Sequence, residues 1–208
     1  MDIVVYGASG FGQQVMFWVE DAAAEEGWNV LGFLDDDDSA HGSERTGHEV
    51  LGGREWLEQR DDRPAVVIGI ADPGVKRTVA AALEPLRVEY PTVVHPSVVR
   101  AGHNRFGDGS LIGAGSVVSV NVELGRLVTV NHSCTLAHDA RLGDYCTVLP
   151  GANVSGRVVL EPAVTVGTNA AIVQDVTVGE GTTIGAGSTV LEDLPPNVTA
   201  VGTPAKPL

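Results

Sequence analysis

The sequence predicts a two-part chain. Residues 1–93 read as a small α/β, Rossmann-like unit, and residues 94–208 as an all-β left-handed parallel β-helix of hexapeptide repeats. Three observations carry this. A large aliphatic residue recurs every six positions through the C-terminal half, a small residue recurs four places after it, and residues 1–93 lack that period, alternating apolar runs with helical stretches behind a glycine-rich turn.

Composition agrees. Of 208 residues 26 are glycine, while only 5% are aromatic and 43% are hydrophobic, which favours turns and small side chains over a large aromatic core. Asp and Glu outnumber Lys and Arg by 27 to 13, a formal net charge of −14, and no stretch is rich in Lys or Arg. Such a chain is repelled by nucleic acid and by anionic membrane surfaces. No basic leader precedes an apolar stretch, and no apolar run approaches the roughly 18 residues of a membrane span, so a cytoplasmic protein is expected. Cys134 and Cys146 lack C-x-x-C spacing and read as small buried thiols, not as a zinc site or a disulfide framework.

The period of six starts at Phe106 and runs through Ile112, Val118, Leu124, Val130, Leu136, Leu142, Val148, Val154, Leu160, Val166, Ile172, Val178, Ile184 and Val190. The fifth place of each unit is small, as at Ser110, Cys134, Ala152 and Ser188. This pattern gives three short strands per triangular coil, each inward residue stacking on its equivalent eighteen positions on. Five coils at about 4.8 Å each make a prism roughly 24 Å tall. The second place is glycine in half of the first fourteen units, as expected where a turn needs positive φ or backbones approach closely.

In the first part, Ile3–Tyr6, Val30–Leu34 and Ala65–Ile70 read as strands. Helices are expected from about Gln13 to Glu25 and from Pro73 to Leu86, the second with proline in its first turn. The turn Gly7-Ala8-Ser9-Gly10-Phe11-Gly12 lets backbone amides approach a phosphate at a helix N-terminus. With three strands and G-x-x-G-x-G spacing, a nucleotide monophosphate or nucleotide-sugar fits better than a full dinucleotide. The acidic run from Asp35 to Asp38 reads as a solvated loop, yet Asp35 and Asp36 close the second strand, where an acidic group can bond a ribose or base edge.

Within the regular prism the histidines are His132 and His138. His138 takes the third place of its unit, an outward corner, with Asp139 directly after it. A neutral imidazole there can take a proton near pH 7, and the carboxylate can fix its tautomer. Gly156 stacks one coil beyond, where its N–H can reach a thioester oxygen unobstructed. A second corner column, His132, Pro150, Thr168 and Ala186, is small or flat toward its end and suits an extended pantetheine arm. The residues stacked next to His138 are Val120 and Gly156, so three histidines do not converge and no metal is expected.

These residues resemble the bacterial hexapeptide acyltransferases that N-acetylate UDP-linked 4-amino-sugars or O-acetylate sialic acid. The likeness rests on Gly7-Ala8-Ser9-Gly10, Gly32-Phe33-Leu34-Asp35-Asp36, His95-Pro96-Ser97, Asn131 seven before His138-Asp139, Gly143-Asp144-Tyr145, Pro150-Gly151, and the ending Val201 to Lys206. It implies a homotrimer with the active site between adjacent prisms and acetyl-coenzyme A as co-substrate. His138 is then the general base, Asp139 its orienting carboxylate and Asn131 a positioning group. Gly156 meets the acetyl carbonyl, and Thr168 and Ala186 line the coenzyme groove. Gly7, Ser9, Gly12, Asp35, Asp36 and Gly69 hold the nucleotide of the sugar. Two departures bear on the substrate: Phe11 stands where relatives carry a glycine-loop histidine, and Thr147 where some carry a second active-site histidine. The alternatives are O-acetylation of a sialic acid or another hydroxyl, and a non-catalytic β-helix scaffold.

Overall fold

The computed structural model describes residues 1–208 and contains two compact units, Met1–His95 and Pro96–Leu208. In the first, β1 (Asp2–Tyr6), α1 (Gly10–Glu26), β2 (Asn29–Leu34), β3 (Glu44–Arg45), β4 (His48–Gly52), α2 (Arg54–Glu58), β5 (Ala65–Ile68) and α3 (Pro73–Leu83) follow in order. The sheet runs β3-β4-β2-β1-β5, parallel except where β3 pairs antiparallel with β4.

β1 and β5 are buried on both faces over Ile3–Tyr6 and Ala65–Ile68, which is why they read as unbroken apolar runs. β3 and β4 extend the three expected strands to five. β3, Glu44-Arg45, is a short charged edge strand, and β4, His48-Glu49-Val50-Leu51-Gly52, lies between β3 and β2 but opens on His48-Glu49, so neither carries a strong apolar signal. α1 starts at Gly10, three residues before the expected Gln13, and ends on Gly27 at φ 68°, whose N–H returns to the Ala23 carbonyl. Asp72 caps α3 through the Val75 amide, Pro73 opens it, and the helix gives way at Leu83 to a 3-10 turn over Glu84–Leu86.

The second unit is the left-handed parallel β-helix. Two-residue strands stack in three sheets: one from Val99–Arg100 to Thr189–Val190, one from Arg105–Phe106 to Thr177–Val178, and one from Leu111–Ile112 through Thr183–Ile184 to Thr199–Gly202. Pairing between coils holds an eighteen-residue offset as far as Thr189–Val190, as in Thr135 to Val117 and to Asn153, and shortens to sixteen where Thr183 pairs with Thr199. The aliphatic column is inside, with Ile112, Val130, Leu136, Val148 and Val166 fully buried. A final hairpin pairs Thr199–Gly202 with Ala205–Pro207.

The corners decide between the two causes given for the second-place glycines. Positive φ belongs to the fourth place of every unit from Gly109 to Gly187, fourteen positions in all, of which only five are glycine. Asn121, Asp139, Tyr145, Arg157 and Ala163 all adopt it, with φ between 58° and 65°. The left-handed conformation costs an L-residue about 1–2 kcal/mol. Coil-to-coil hydrogen bonds from these same amides offset it: Asp139 N to Val120 O at 3.0 Å, Arg157 N to His138 O at 2.9 Å and Asn169 N to Pro150 O at 2.9 Å. The second-place glycines answer to close approach instead. A Cβ on Gly107 would lie 2.5 Å from the Gly125 backbone, and one on Gly143 2.7 Å from Pro162 N.

No helix of the structure is long and apolar enough to cross a membrane. Because the prism core is one aliphatic stack, Leu136→Ala is expected to lower unfolding stability by about 2–5 kcal/mol, whereas Arg141→Ala on the exposed strand face should stay within about 0.5 kcal/mol. Urea unfolding of the two variants checks the contrast.

Candidate active site

The corner after Thr135–Leu136 presents His138 and Asp139, each side chain 46% exposed. Their backbone is pinned from both sides by the Asp139 amide on Val120 and the Arg157 amide on the His138 carbonyl. His138 Nδ1 lies 2.8 Å from Asp139 Oδ2, so Nδ1 carries the proton in the neutral ring and Nε2 keeps its lone pair. The bond to His138, a second from Asn121 Nδ2 at 3.0 Å, and the charges of His138 and Arg157 hold the Asp139 carboxyl below the usual carboxylate range. The carboxylate is therefore ionised wherever the imidazole is neutral.

The ring rests on Gly156. A Cβ there would come within 2.6 Å of both Cε1 and Nε2, so the imidazole edge that bears the free lone pair is seated on bare backbone. Glycine at this place is a steric requirement of the ring, since the residue does not have positive φ. Arg157, on the corner above, grips Asp175 through two bonds of 2.6 and 2.8 Å, and its cation lies close enough to act on Asp139. Asn121, Arg157 and Asp175 went unnoticed in the sequence. The signal that finds them is the eighteen-residue offset applied to Asp139 itself, in both directions.

The other expected prism residues lie on a different corner. Asn131 is buried, its Oδ1 accepting from the His132 amide at 2.8 Å, one corner away from His138 in the same coil. His132 and Thr168 are half-buried and Ala186 is exposed, so the column opens outward along its length. The coil-to-coil bonds Gly151 N to His132 O, Asn169 N to Pro150 O and Gly187 N to Thr168 O fix these residues as one straight row.

In the N-terminal unit Gly7, Gly12 and Gly69 meet backbone to backbone at the carboxyl ends of β1 and β5. A Cβ on Gly12 would lie 1.8 Å from the Gly7 carbonyl oxygen, and one on Gly69 2.9 Å from Gly12 Cα. Strand order reverses at β1, between β2 and β5, where parallel sheets open a ligand crevice. Ser9 is the exposed N-cap of α1, and its side chain makes no capping bond. The acidic residues are more structured than a solvated loop. Asp35 accepts from Ala8 N at 2.7 Å and Asp37 N at 3.0 Å, and Asp36 accepts from the Tyr6 hydroxyl. Burial, and then Asp36, push the Tyr6 phenol well above its ordinary pKa, so it serves only as a donor.

Comparison with known proteins then fixes the family. Residues 2–83 match the model of the PglD N-terminal domain, and residues 157–192 match the bacterial transferase hexapeptide, six repeats. No curated protein matches the sequence. Among solved structures, WeeI from Acinetobacter baumannii AYE is 31% identical over all of both chains, with a TM-score of 0.90. The chain belongs to the bacterial hexapeptide-repeat sugar acyltransferases. The acetyltransferase domain of PglB from Neisseria gonorrhoeae FA1090, solved with acetyl coenzyme A, is 29% identical, with a TM-score of 0.90 over all of this chain and 98% of that one. Perosamine N-acetyltransferase from Caulobacter crescentus, as a variant in complex with CoA and GDP-perosamine, is 25% identical, with a TM-score of 0.92 over all of this chain and 97% of that one.

Both departures of this acyltransferase have a packing role. Phe11 meets Trp18 edge-to-face at 6.0 Å, two turns along α1, and Thr147 is buried on its strand. In the prism, Gly156→Ala leaves the backbone conformation allowed but drives the His138 ring off its seat. The expected outcome is a melting temperature within a few degrees of the parent together with a displaced imidazole, checked by calorimetry and a crystal structure of the variant.

Proposed function

We propose that this acyltransferase moves the acetyl group of acetyl-coenzyme A directly to the amino group of a UDP-linked 4-amino-sugar, with His138 as general base. The chain is an acetyl-coenzyme A-dependent acetyltransferase, and nucleotide-sugars are the substrate class of its structural relatives. The observation that carries the mechanism is the His138–Asp139 pair, with Nδ1 held at 2.8 Å and the Nε2 edge over Gly156.

In the proposed reaction, the amine attacks the thioester carbonyl while His138 Nε2 takes its proton. Asp139 stabilises the imidazolium that forms, and the Gly156 amide bonds the oxyanion. Collapse expels the thiolate, which recovers the proton from the imidazolium, so neither a covalent acyl-enzyme nor a metal is needed. The row of His132, Pro150, Thr168 and Ala186 carries the pantetheine arm. Asn131 positions substrate in a homotrimer, where the cleft between adjacent prisms would bring its corner against the His138 corner. The nucleotide is held by Gly7, Ser9, Gly12 and Gly69 with Asp35 and Asp36, in a protein working in the cytoplasm. Asp35 spends both oxygens on backbone amides, so it shapes the loop, while Asp36 keeps one oxygen for a ligand hydroxyl or N–H.

His138→Ala is expected to lower kcat by about 10²-fold or more while acetyl-coenzyme A still binds, measured by steady-state kinetics and calorimetry. Near-parental turnover overturns the base assignment. Since Asp139 titrates below the ordinary carboxylate range, it should add no proton of its own to the loss of rate on acidification just below neutrality, checked by the pH profile of kcat. Titration with UDP- and GDP-linked amino-sugars tests the donor, and binding of the GDP form alone would replace the UDP assignment.

A further inference from the structure

The two oxygens of Asp139 are divided between two partners. Oδ2 faces His138 Nδ1 at 2.8 Å, and Oδ1 accepts from Asn121 Nδ2 at 3.0 Å. A carboxylate held at one oxygen only is free to turn about its Cβ–Cγ bond, and the hydrogen bond that selects the imidazole tautomer turns with it. We infer that Asn121 is a positioning residue for the His138–Asp139 pair, locking the carboxylate plane so that the proton stays on Nδ1 and Nε2 stays free. This rests on the reading of His138 as the base.

The backbone makes the arrangement rigid. Asn121 and Asp139 are both fourth-place residues, at φ 58° and 60°, and the Asp139 amide is bonded to Val120 on the Asn121 corner. Asparagine and aspartate tolerate this conformation better than most L-residues.

A neutral donor also suits the chemistry better than the cations nearby. Arg157 is engaged with Asp175 above. Below and beside, Asn121 and Asp139 share a shallow cleft of about 230 Å³ with His103, Arg105, Glu123 and Arg141, in which Arg105 pairs with Glu123 and Arg141 Nε stands 4.0 Å from the same carboxylate. A guanidinium bonded directly to Asp139 would neutralise the charge that stabilises the imidazolium. The Asn121 amide orients the carboxylate and leaves that charge in place.

Two variants keep the left-handed corner. Asn121→Gly removes the donor, and Asn121→Asp replaces it with a second carboxylate of the same size. Nitrogen-15 NMR of the free protein should show the proton of the neutral His138 ring on Nδ1 in the parent and spread over both nitrogens in Asn121→Gly. In Asn121→Asp the imidazole midpoint should rise by about one unit, because added negative charge favours the imidazolium. Turnover at neutral pH should fall in both, by about 10-fold in Asn121→Gly and at least about 3-fold in Asn121→Asp, with KM for acetyl-coenzyme A unchanged. The acid limb of the rate profile should move to higher pH only in Asn121→Asp, so that raising the pH recovers the part of its loss that protonation causes, while neither variant regains the parent's rate because both lack the donor.

Melting temperatures near the parent's exclude a folding defect. An unchanged tautomer and midpoint in both variants overturn the proposal whatever the activity, as does an altered tautomer with parental turnover. Should His138→Ala retain turnover, the base assignment falls and the role of Asn121 with it, while the tautomer measurement still stands on its own.

Discussion

The prism hangs on one hydrogen bond, made at every left-handed corner from Leu127 to Gly187, from the amide of the left-handed residue to the carbonyl one coil below. It converts an unfavourable backbone conformation into a fixed step of eighteen residues. Inward aliphatic residues can stack without slipping because the corners do not slip. The same step carries outward residues into straight rows, and the His138–Gly156 contact is one such row read two places along. Fold and site are thus set by a single geometric constraint, and the chemistry needs no loop inserted into the coil.

This dependence explains what the sequence made legible. The inward column was readable because burial admits few residue types, and Val, Ile and Leu mark it almost without exception. His138, Asp139 and Gly156 were readable because the period gave their positions before any chemistry was considered. The left-handed corners were hidden, since leucine, tyrosine and arginine hold them as well as glycine does, once the backbone bond is present. Glycine drew attention to the second place, where the demand is space. Asn121 was missed because an exposed asparagine draws no attention by its residue type, and its place eighteen residues before Asp139 gains meaning only with the bond between them.

The N-terminal unit was legible in its centre and obscure at its rim. β1 and β5 declare themselves by continuous burial, whereas β3 and β4 are written in charges and recognised only by whom they pair with. Gly7, Gly12 and Gly69 were singled out in the sequence for ligand binding. The structure gives them a prior duty, since each admits the backbone of another. Asp35, expected at a ligand, has both carboxylate oxygens bonded to loop amides. Residues that build a crevice and residues that fill it look alike in a sequence, because both call for small or acidic side chains at the ends of strands.

The corner bond has a further consequence for how such a molecule can change over time. Since a backbone bond maintains each corner from Leu127 to Gly187, the fold does not depend on one residue type there, and each such corner behaves as an interchangeable socket. Arginine, tyrosine, alanine and asparagine already occupy equivalent sockets in this chain. New reactive groups can be tried at many levels of the prism, at a cost the corner bond keeps small.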